Sequence, residues 1–333
     1  MNVLSPIPRG CGAHVLHAEL ARSLPDYQLL SYSAWRTLFP LLLPTLVDRR
    51  AELVHADADY GMFYKRPGVP LVLTMHGYRL DRFMRAYSSP LQYLHYRTDL
   101  RLYTKLGLAI ADGVVAISRF VAQRMRDDLG FDGDIRLIYN GVDTDRFLPS
   151  DAPRQSGPFR VLFCGNHKPG KRPDLLLPLA NALGERFEIH YTAGLTGRGQ
   201  LEGRLNANAA ALHCLGKVEY ADMPRIYRSM DVLFMPSVRE GFGLCVAEAM
   251  ACGLPVVAAD SSALPELVVN DEGGYLVPVD DLLGFAEAIR RIAEEQEKAR
   301  RMGQYNRARV EQHFTLRRMV SEYRDLFEEV RSR

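Results

Sequence analysis

The sequence predicts an α/β protein built from two Rossmann-like, doubly wound domains. Short apolar runs bounded by Gly, Asp or Pro alternate with longer amphipathic stretches, a pattern typical of parallel sheets covered by helices on both faces. The chain has 333 residues, 47% of them hydrophobic, which is enough for two cores of ordinary size. Because ligands of such sheets bind at the carboxyl ends of the strands, we expect the two domains to face each other across a cleft.

The predicted strands are short and mostly apolar on consecutive residues, as expected for strands that are buried on both faces. In the first half of the chain they are Asn2–Ser5, Tyr27–Ser31, Leu53–Ala56, Leu71–Met75 and Gly113–Ile117. In the second half they are Arg160–Cys164, Phe187–Thr192, Val232–Met235 and Pro255–Ala258. The run that begins at Tyr27 is equally compatible with a loop. From Leu282 onward, the helical spacing of Arg, Glu, Ala and Leu predicts two or three helices.

The domain boundary is predicted at the segment LPSDAPRQSGPFR, Leu148–Arg160, because its Pro, Gly and Ser content is typical of a linker. We therefore expect an N-terminal domain over residues 1–150 and a C-terminal domain over residues 159–312. Residues 313–333 are expected to form a helix that packs back toward the N-terminal domain.

Composition excludes several classes of protein. The net charge of +2 is too balanced to predict a nucleic-acid partner. The five cysteines form no C-x-x-C pair and have no His cluster at zinc spacing beside them, so we expect free thiols and no structural metal. No apolar run reaches the ~18 residues that a membrane span needs. The start MNVLSPIPRG lacks the features of a signal peptide, and we expect a cytoplasmic location.

The most informative segment is PSVREGFGLCVAEAMACGLPVVAAD, in which Glu240-Gly-Phe-Gly links a predicted strand to a helix that begins near Leu244. Two glycines at a helix start let a ligand approach backbone N–H groups, whose dipoles favour an anion such as a diphosphate. Glu248 lies one turn after Leu244, where its carboxylate could accept hydrogen bonds from a ribose diol. The alternative interpretation is a glycine-containing turn with two solvated glutamates.

The spacing Glu240-x7-Glu248 in EGFGLCVAEAMACGLPVV resembles the E-x7-E signature of the family-four retaining glycosyltransferases, also called glycosyl transferases group 1, of the GT-B fold. The resemblance covers nearly the whole chain. GCGAHVLHAELARSL is similar to the family's glycine loop and first helix. Further segments resemble family segments in the family's order: ADGVVAISRFVAQRM, IRLIYNGVDTDRFLP, VLFCGNHKPGKRPDLLL and MPRIYRSMDVLFMPS.

The resemblance implies an acceptor-side N-terminal domain and a C-terminal domain that binds a UDP- or GDP-sugar. It also implies sugar transfer with retention of configuration, without a metal ion or other cofactor. Glu248 would bind the donor ribose, and Glu240 would lie against the donor sugar. The backbone amides that would reach the sugar and phosphate are those of Gly241, Phe242, Gly243 and Leu244.

The family usually carries Gly-Arg-Leu-x3-Lys-Gly after the first strand of the donor domain, where the Arg and the Lys bind the diphosphate. Gly165 and Lys171 match this pattern, whereas Asn166 stands at the Arg position and Arg172 at the closing Gly. The resemblance therefore assigns Lys171 to the leaving group and leaves the pair of cations incomplete at Asn166. Lys168 and Arg172 are candidate replacements.

In the first domain, Gly12 matches the second glycine of the family loop near the donor phosphate, while Cys11 stands where a first glycine is common. His76 in LTMHGY matches a family histidine near the transferred sugar, although a histidine at a strand end is by itself more often structural. Two D-x-D triplets, at residues 57–59 and 143–145, have a pattern that holds divalent ions in other glycosyltransferases. The second triplet lies in a segment that does not bind metal in the family, and we expect no metal ion at either triplet.

The acceptor, whether a glycan, a lipid or a small molecule, is not specified by the sequence. Arg79–Leu106 is locally basic, and its Tyr and Leu residues form a helical stripe with cations beside it. Such a helix suits an anionic membrane surface, which would place the protein at the inner face of the membrane. A helix that packs this stripe into the domain core is the other interpretation. The apolar, Pro-interrupted segment Trp35–Val47 is expected to be buried.

Two other functions remain open. A sugar-nucleotide epimerase or a phosphorylase has the same fold, but the E-x7-E segment disfavours the first and the absence of a recognisable pyridoxal-lysine segment disfavours the second. A non-catalytic protein that binds nucleotide sugars is compatible with Asn166.

Overall fold

The computed structural model describes residues 1–9, 12–48, 50–150, 157–193 and 206–333. The chain divides into two compact units, the first formed by Met1–Gly141 with Leu316–Arg333 and the second by Val142–Thr315. Gly10 and Cys11 of the predicted glycine loop, and residues 151–156 of the predicted linker, lie outside the described residues.

The first unit contains a six-stranded parallel sheet with the strand order β2-β1-β3-β4-β5-β6. Because β1 lies between β2 and β3, the strand order reverses there, and the carboxyl edge at such a reversal is where sheets of this kind usually bind ligands. The strands are β1 Val3–Pro8, β2 Tyr27–Tyr32, β3 Leu53–Asp57, β4 Leu71–Met75, β5 Gly113–Ala116 and β6 Arg136–Leu137.

The second unit contains another six-stranded parallel sheet, with the order β12-β11-β10-β7-β8-β9. Its central strands β7 and β10 are neighbours, with Leu233 beside Leu162, so the loops that follow these two strands start side by side. The strands are β7 Phe159–Phe163, β8 Phe187–Tyr191, β9 Ala211–Cys214, β10 Val232–Met235, β11 Val256–Ala259 and β12 Gly274–Val277.

Helices connect the strands in both units. Some begin at polar caps; for example, the Ser118 hydroxyl accepts a hydrogen bond from the Val121 N–H at 3.1 Å. The helices are α1 Gly12–Ser23, α2 Pro90–Arg97, α3 Asp99–Ile110, α4 Arg119–Asp127, α5 Leu176–Leu183, α6 Met223–Arg228, α7 Leu244–Ala251, α8 Leu264–Leu267, α9 Leu282–Glu294, α10 Gln296–His313 and α11 Leu316–Ser332.

The last helix, α11, belongs to the core of the first unit. Its buried residues recur at helical spacing and include Tyr323 and Phe327, which pack with Tyr27 and Val72. Each such fully buried side chain contributes about 1.5–3 kcal/mol of hydrophobic free energy. The C-terminal stretch of the chain is therefore an integral layer of the first unit.

The predicted α/β fold with two parallel sheets is confirmed, and every predicted strand overlaps an observed one. The run at Tyr27 is a strand. The short strands β6, β9 and β12 were not predicted. All three are edge strands, and each is too short to give a clear pattern along the sequence.

The boundary between the units differs from the predicted one at residue 150. The Val142 N–H donates to the Phe314 carbonyl at 2.8 Å, and Arg307 donates to the Phe147 carbonyl at 2.6 Å. Residues 142–150 are thus held by the second unit, because their backbone groups find partners on α10 and just after it. Among the described residues, no helix combines the length and the apolar character that crossing a bilayer requires.

Candidate functional site

The loop between β10 and α7 places Glu240 beside the start of a helix. Gly243 precedes α7 with φ of 101°, a conformation that favours glycine. A Cβ atom at this position would lie 3.1 Å from Leu264 and 3.2 Å from Leu267. The glycine therefore lets the chain turn sharply into α7, whose first N–H groups have no partner within the helix.

An ion pair joins the loops that follow the two central strands. Lys171 ends a 3₁₀ turn after β7, and its ammonium group contacts Oε1 of Glu240. The Glu240 N–H donates to Oγ of Ser262 at 2.8 Å. Burial, the largest single influence, favours the neutral amine, but the Glu240 carboxylate together with the neighbouring Cys245 and Cys164 holds the pKa of Lys171 above its ordinary value. A charged lysine and its carboxylate thus lie at this edge of the sheet.

Glu248 is buried on α7, with 4% of its surface exposed. The Tyr227 hydroxyl donates to its Oε2 at 2.8 Å. Burial, and next the charge of the nearby Cys164 thiol, raise the pKa of Glu248 to about 8, so this carboxyl group is protonated at neutral pH. Since Glu240 is also buried, at 8% exposure, the interpretation of two solvated glutamates is wrong.

The loop after β7 contains an unsatisfied acceptor at Asn166. Its side-chain oxygen is buried and has no hydrogen-bond partner among the described residues. On either side, the Gly165 N–H donates to the Thr192 hydroxyl at 3.1 Å, and His167 Nε2 lies 3.0 Å from the Thr192 carbonyl oxygen. An unpaired buried oxygen costs about 1–3 kcal/mol, which a ligand that carries a donor would recover.

The cations around Asn166 differ in availability. Arg172 contacts both Asp174 and Asp280, so its charge is already neutralised. Lys168 is exposed on the same loop. Lys171 is the lysine of this loop that contacts Glu240.

Sequence reasoning missed several side chains of this site. Tyr227 lies on α6, and no local motif links it to Glu248. The sulfur of Cys164, at the end of β7, lies 3.7 Å from the Tyr227 hydroxyl oxygen. The Cys245 thiol lies 3.8 Å from the Cys164 carbonyl oxygen. A hydrogen bond from Cys245 lowers the pKa of Cys164 to about 7. Only the folding of separate strands and helices brings these groups together.

In the first unit, His76 follows β4 and meets a histidine of α1. Nε2 of His76 lies 2.9 Å from Nε2 of His17. Burial, and next the charge of Arg79, lower the pKa of His76 to about 3. The imidazole is therefore neutral at physiological pH, and it can exchange hydrogen bonds but supplies no positive charge.

A chain of buried polar groups continues from His17 into the core of the first unit. All its members lie on β1 to β4, α1 or α11, and burial keeps the pKa values of its inner histidines well below their usual range. Its contacts are His17 Nδ1 to Ser5 Oγ at 2.7 Å and to Tyr27 Oη at 2.6 Å, Tyr27 Oη to His55 Nδ1 at 2.7 Å, His55 Nε2 to Thr74 Oγ1 at 2.7 Å, and Thr74 Oγ1 to Tyr323 Oη at 3.1 Å.

Gly12 begins α1, and a Cβ atom there would have no neighbour within 4 Å. Packing among the described residues therefore does not require a glycine. The D-x-D carboxylates have partners in the protein: Asp59 contacts Arg79, and Asp57 accepts the Asp59 N–H at 3.0 Å. Asp143 accepts the N–H of Asp145 at 3.1 Å.

The basic helical stripe expected within Arg79–Leu106 is interrupted. A 3₁₀ turn over Arg82–Tyr87 comes first, and α2 and α3 are separated at Thr98, so no continuous stripe forms. Some cations of the segment are also held internally: Arg79 by Asp59, Arg97 by the Leu80 carbonyl and Arg101 by Asp128. The remaining ones, Arg82, Arg85 and Lys105, are exposed.

The expectation that Trp35–Val47 is buried is also wrong. Pro40 and Pro44 hold the segment in 3₁₀ turns that expose large apolar side chains, among them Trp35 at 54% and Leu41 at 82%. Most of the exposed large apolar residues in the described chain lie in the first unit, between Trp35 and Ile110. They are Trp35, Leu38, Phe39, Leu41, Leu42, Phe83, Leu91, Leu94, Leu102, Leu106 and Ile110.

Two family profiles match the chain in succession. The one described as Glycosyltransferase Family 4 matches residues 8–146, and the one described as Glycosyl transferases group 1 matches residues 145–309. Together they extend over both units.

Curated relatives carry related names. A D-inositol 3-phosphate glycosyltransferase of Geodermatophilus obscurus is 35% identical over 212 residues, which are 57% of this chain and 47% of that protein. An N-acetyl-alpha-D-glucosaminyl L-malate synthase of Bacillus anthracis is 24% identical over 275 residues, 78% of this chain and 71% of that protein. The chain spans about half the length of the first of these relatives.

Solved structures resemble the whole chain. A sucrose-phosphate synthase of Thermosynechococcus elongatus superimposes with a TM-score of 0.81 at 19% identity over 99% of both chains. HepE of Anabaena in complex with UDP-glucose gives a TM-score of 0.78 at 19% identity over 99% of this chain and all of that one. At this level of identity, the likeness establishes the fold.

Proposed function

Since this chain belongs to the group 1 glycosyltransferases of the GT-B fold, we propose that it transfers a sugar from a UDP- or GDP-sugar to an acceptor, with retention of configuration and without a metal ion. The family predicted from the E-x7-E segment is thereby confirmed. One observation carries the proposed donor site: the glycine-opened start of α7, with Lys171 and Glu240 on one side and Glu248 on the other.

The donor would bind with its diphosphate at the start of α7, where free N–H groups and the helix dipole stabilise negative charge. Departure of the nucleoside diphosphate develops further negative charge, which Lys171 would neutralise. Glu248 would hold the ribose, and Glu240 would lie against the sugar. The backbone amides of Gly241, Phe242, Gly243 and Leu244 supply the remaining donors. His76 and Gly12 keep the sugar and phosphate roles that the family implies.

A donor panel tests the transferase proposal. We expect one nucleotide sugar to bind in calorimetry and to be hydrolysed slowly without acceptor. A Glu248→Ala variant should bind it less tightly. Binding without hydrolysis or transfer would instead favour a non-catalytic nucleotide-sugar binding protein, the alternative that the uncharged Asn166 supports.

Stereochemistry and metal dependence need separate measurements. We expect the product anomer, followed by NMR during turnover, to keep the configuration of the donor. Activity should also survive EDTA followed by gel filtration. An inverted product would contradict the retaining mechanism, and activity that returns only when a divalent ion is added would contradict metal independence.

For the acceptor, two relatives are named for D-inositol 3-phosphate and L-malate, both small anions. The exposed apolar residues of the first unit favour an acceptor that lies at a lipid surface. Trp35 and Leu41 resemble side chains that enter the interface of a bilayer, and Arg82, Arg85 and Lys105 are exposed cations that anionic headgroups attract.

Vesicle sedimentation tests the membrane proposal. The protein should pellet with vesicles that contain an anionic lipid and should pellet less with purely zwitterionic ones. The double substitution Trp35→Ser/Leu41→Ser should abolish pelleting, whereas Leu283→Ser, at an exposed leucine of the second unit, should not. Transfer to soluble acceptors by protein that never pellets would favour a small-molecule acceptor.

A further inference from the structure

The outer strands of the second sheet carry three potential metal ligands on one face. Glu188 and His190 are two residues apart on β8, so both side chains point to the same side of the sheet. His213 on β9 is paired in register with His190, which brings its side chain to that same face. Ligand atoms of the three residues all lie within 4.8 Å of one another.

The contacts within this cluster place the carboxylate against both imidazoles. Oε2 of Glu188 lies 3.2 Å from Nε2 of His190, and Oε1 lies 3.9 Å from Nε2 of His213. The two rings stack with their centroids 4.8 Å apart and their planes at 26°. Two imidazole nitrogens therefore lie within 4 Å of one carboxylate.

The surroundings keep the cluster ready for a cation. Arg160, opposite Glu188 on β7, is the charged neighbour that would repel a cation. Its guanidinium donates to the Ser229 carbonyl at 3.4 Å instead of pairing with Glu188. The carboxylate thus remains available.

The cluster lies apart from the proposed donor site. That site uses the loops after β7 and β10, whereas the cluster uses side chains within β8 and β9, the two outermost strands on that side of the sheet. The proposed transfer reaction leaves these three residues without a role. These residues do not form a zinc motif along the chain because the ligands come from two different strands.

We propose that Glu188, His190 and His213 bind one Zn²⁺ ion and thereby fasten the edge strand β9 to β8. Zinc accepts imidazole nitrogen and carboxylate oxygen at about 2.0–2.2 Å, usually in a tetrahedron, in which ligand atoms are separated by roughly 3.5 Å. The separations of Glu188 from His190 and His213, 3.2 and 3.9 Å, bracket this value, and a water would complete the tetrahedron. Because the ligands join two strands of the folded state, the ion stabilises that state.

Zinc titration of tag-free, chelator-treated full-length protein tests this proposal. Calorimetry should give one site per chain, and zinc at about 100 times Kd should raise the Tm of the second unit by about 5 °C. Co²⁺ should bind at the same place and give visible d–d bands. His213→Ala and Glu188→Gln should each weaken binding at least tenfold and remove the gain in Tm.

Two control variants separate this cluster from other ligands. His313→Ala removes an exposed imidazole elsewhere in the second unit and should leave binding unchanged. Cys214→Ser removes a thiol adjacent to His213 in sequence. Because this thiol points to the opposite face of β9, zinc binding should also be unchanged. The proposal is overturned if no saturable site appears, or if binding survives His213→Ala but is lost on alkylation of the thiols. Circular dichroism checks that each variant is folded.

Discussion

The Nε2 atoms of His17 and His76 lie 2.9 Å apart, so one imidazole donates a hydrogen bond and the other accepts it. This contact links the strand-end histidine, His76, to a buried polar chain that reaches Tyr323 on the last helix. The orientation and the protonated nitrogen of His76 are thus set by groups deep in the first unit. His76 depends on this polar chain for its orientation, whether its role is structural or functional.

We expect His17→Ala to destabilise the protein by about 2–4 kcal/mol, because Tyr27, Ser5 and His76 each lose a buried partner. Urea unfolding measures the change. The matched control is His14→Ala on the same helix, which removes one partly buried contact to Ser31 and should cost about 1 kcal/mol. Equal losses in the two variants would mean that the buried chain adds no stability.

Lys171→Ala should lower kcat by about 10²–10³-fold, since it removes the cation beside the start of α7 and leaves Glu240 unpaired. Steady-state kinetics with the best donor measures the effect, and Lys171→Arg should recover part of it. Lys168→Ala removes an exposed lysine of the same loop and should change kcat less than threefold. If kcat fell severely in Lys168→Ala and stayed near normal in Lys171→Ala, the cation that neutralises the leaving group would be Lys168.

The raised pKa of Glu248 predicts that donor binding depends on pH. Since its pKa is about 8, roughly one-tenth of this group is ionised at pH 7, and only the carboxylate can accept from both ribose hydroxyls. Nucleotide affinity should therefore rise about tenfold from pH 7 to pH 9 in the parent relative to Glu248→Gln. Calorimetry at several pH values measures both proteins. Parallel curves would mean that the ribose binds the protonated acid or does not contact Glu248.

The raised pKa of Glu248 also makes the stability of the folded state depend on pH. The folded-state pKa of Glu248 is raised above its ordinary value of 4.5, so its contribution is fully present below pH 4.5 and is lost as pH rises through about 8. Glu248→Gln keeps an acceptor for Tyr227 and carries no charge. Its second unit should therefore be more stable than the parent's at pH 9, and the difference should vanish near pH 4.5, as followed by thermal unfolding. A difference that grows toward acid pH would contradict the raised pKa.

Gly243→Ala should destabilise the second unit by about 1–3 kcal/mol, because φ of 101° is strained for alanine and its Cβ would meet Leu264 and Leu267. The Tm of thermal unfolding and the affinity for the donor should both decrease. Gly12→Ala gives the contrasting case, since its Cβ meets nothing within 4 Å. Stability should be unchanged there, and weaker donor binding would reveal a ligand close to the loop. Normal donor binding would remove Gly12 from the proposed site.

Local pattern predicted most of the fold because buried parallel strands are short, apolar and bounded by turn residues. It failed at edge strands such as Ala211–Cys214, whose exposed positions break the apolar run. It also failed for Trp35–Val47, where the apolar composition indicated burial and the prolines hold the side chains outward. An apolar composition indicates that side chains favour an apolar environment, but it does not indicate whether the fold buries them.

The sequence by itself determined the parallel α/β architecture, the family and the segment Glu240–Glu248, since these depend on spacing along one strand, loop and helix. Only the tertiary structure decided that Lys171 contacts Glu240, that Tyr227 donates a hydrogen bond to the buried Glu248, and that His190 meets His213. These contacts join residues far apart in the chain. Their protonation depends on burial and neighbouring charge, which arise only when the strands and helices pack together.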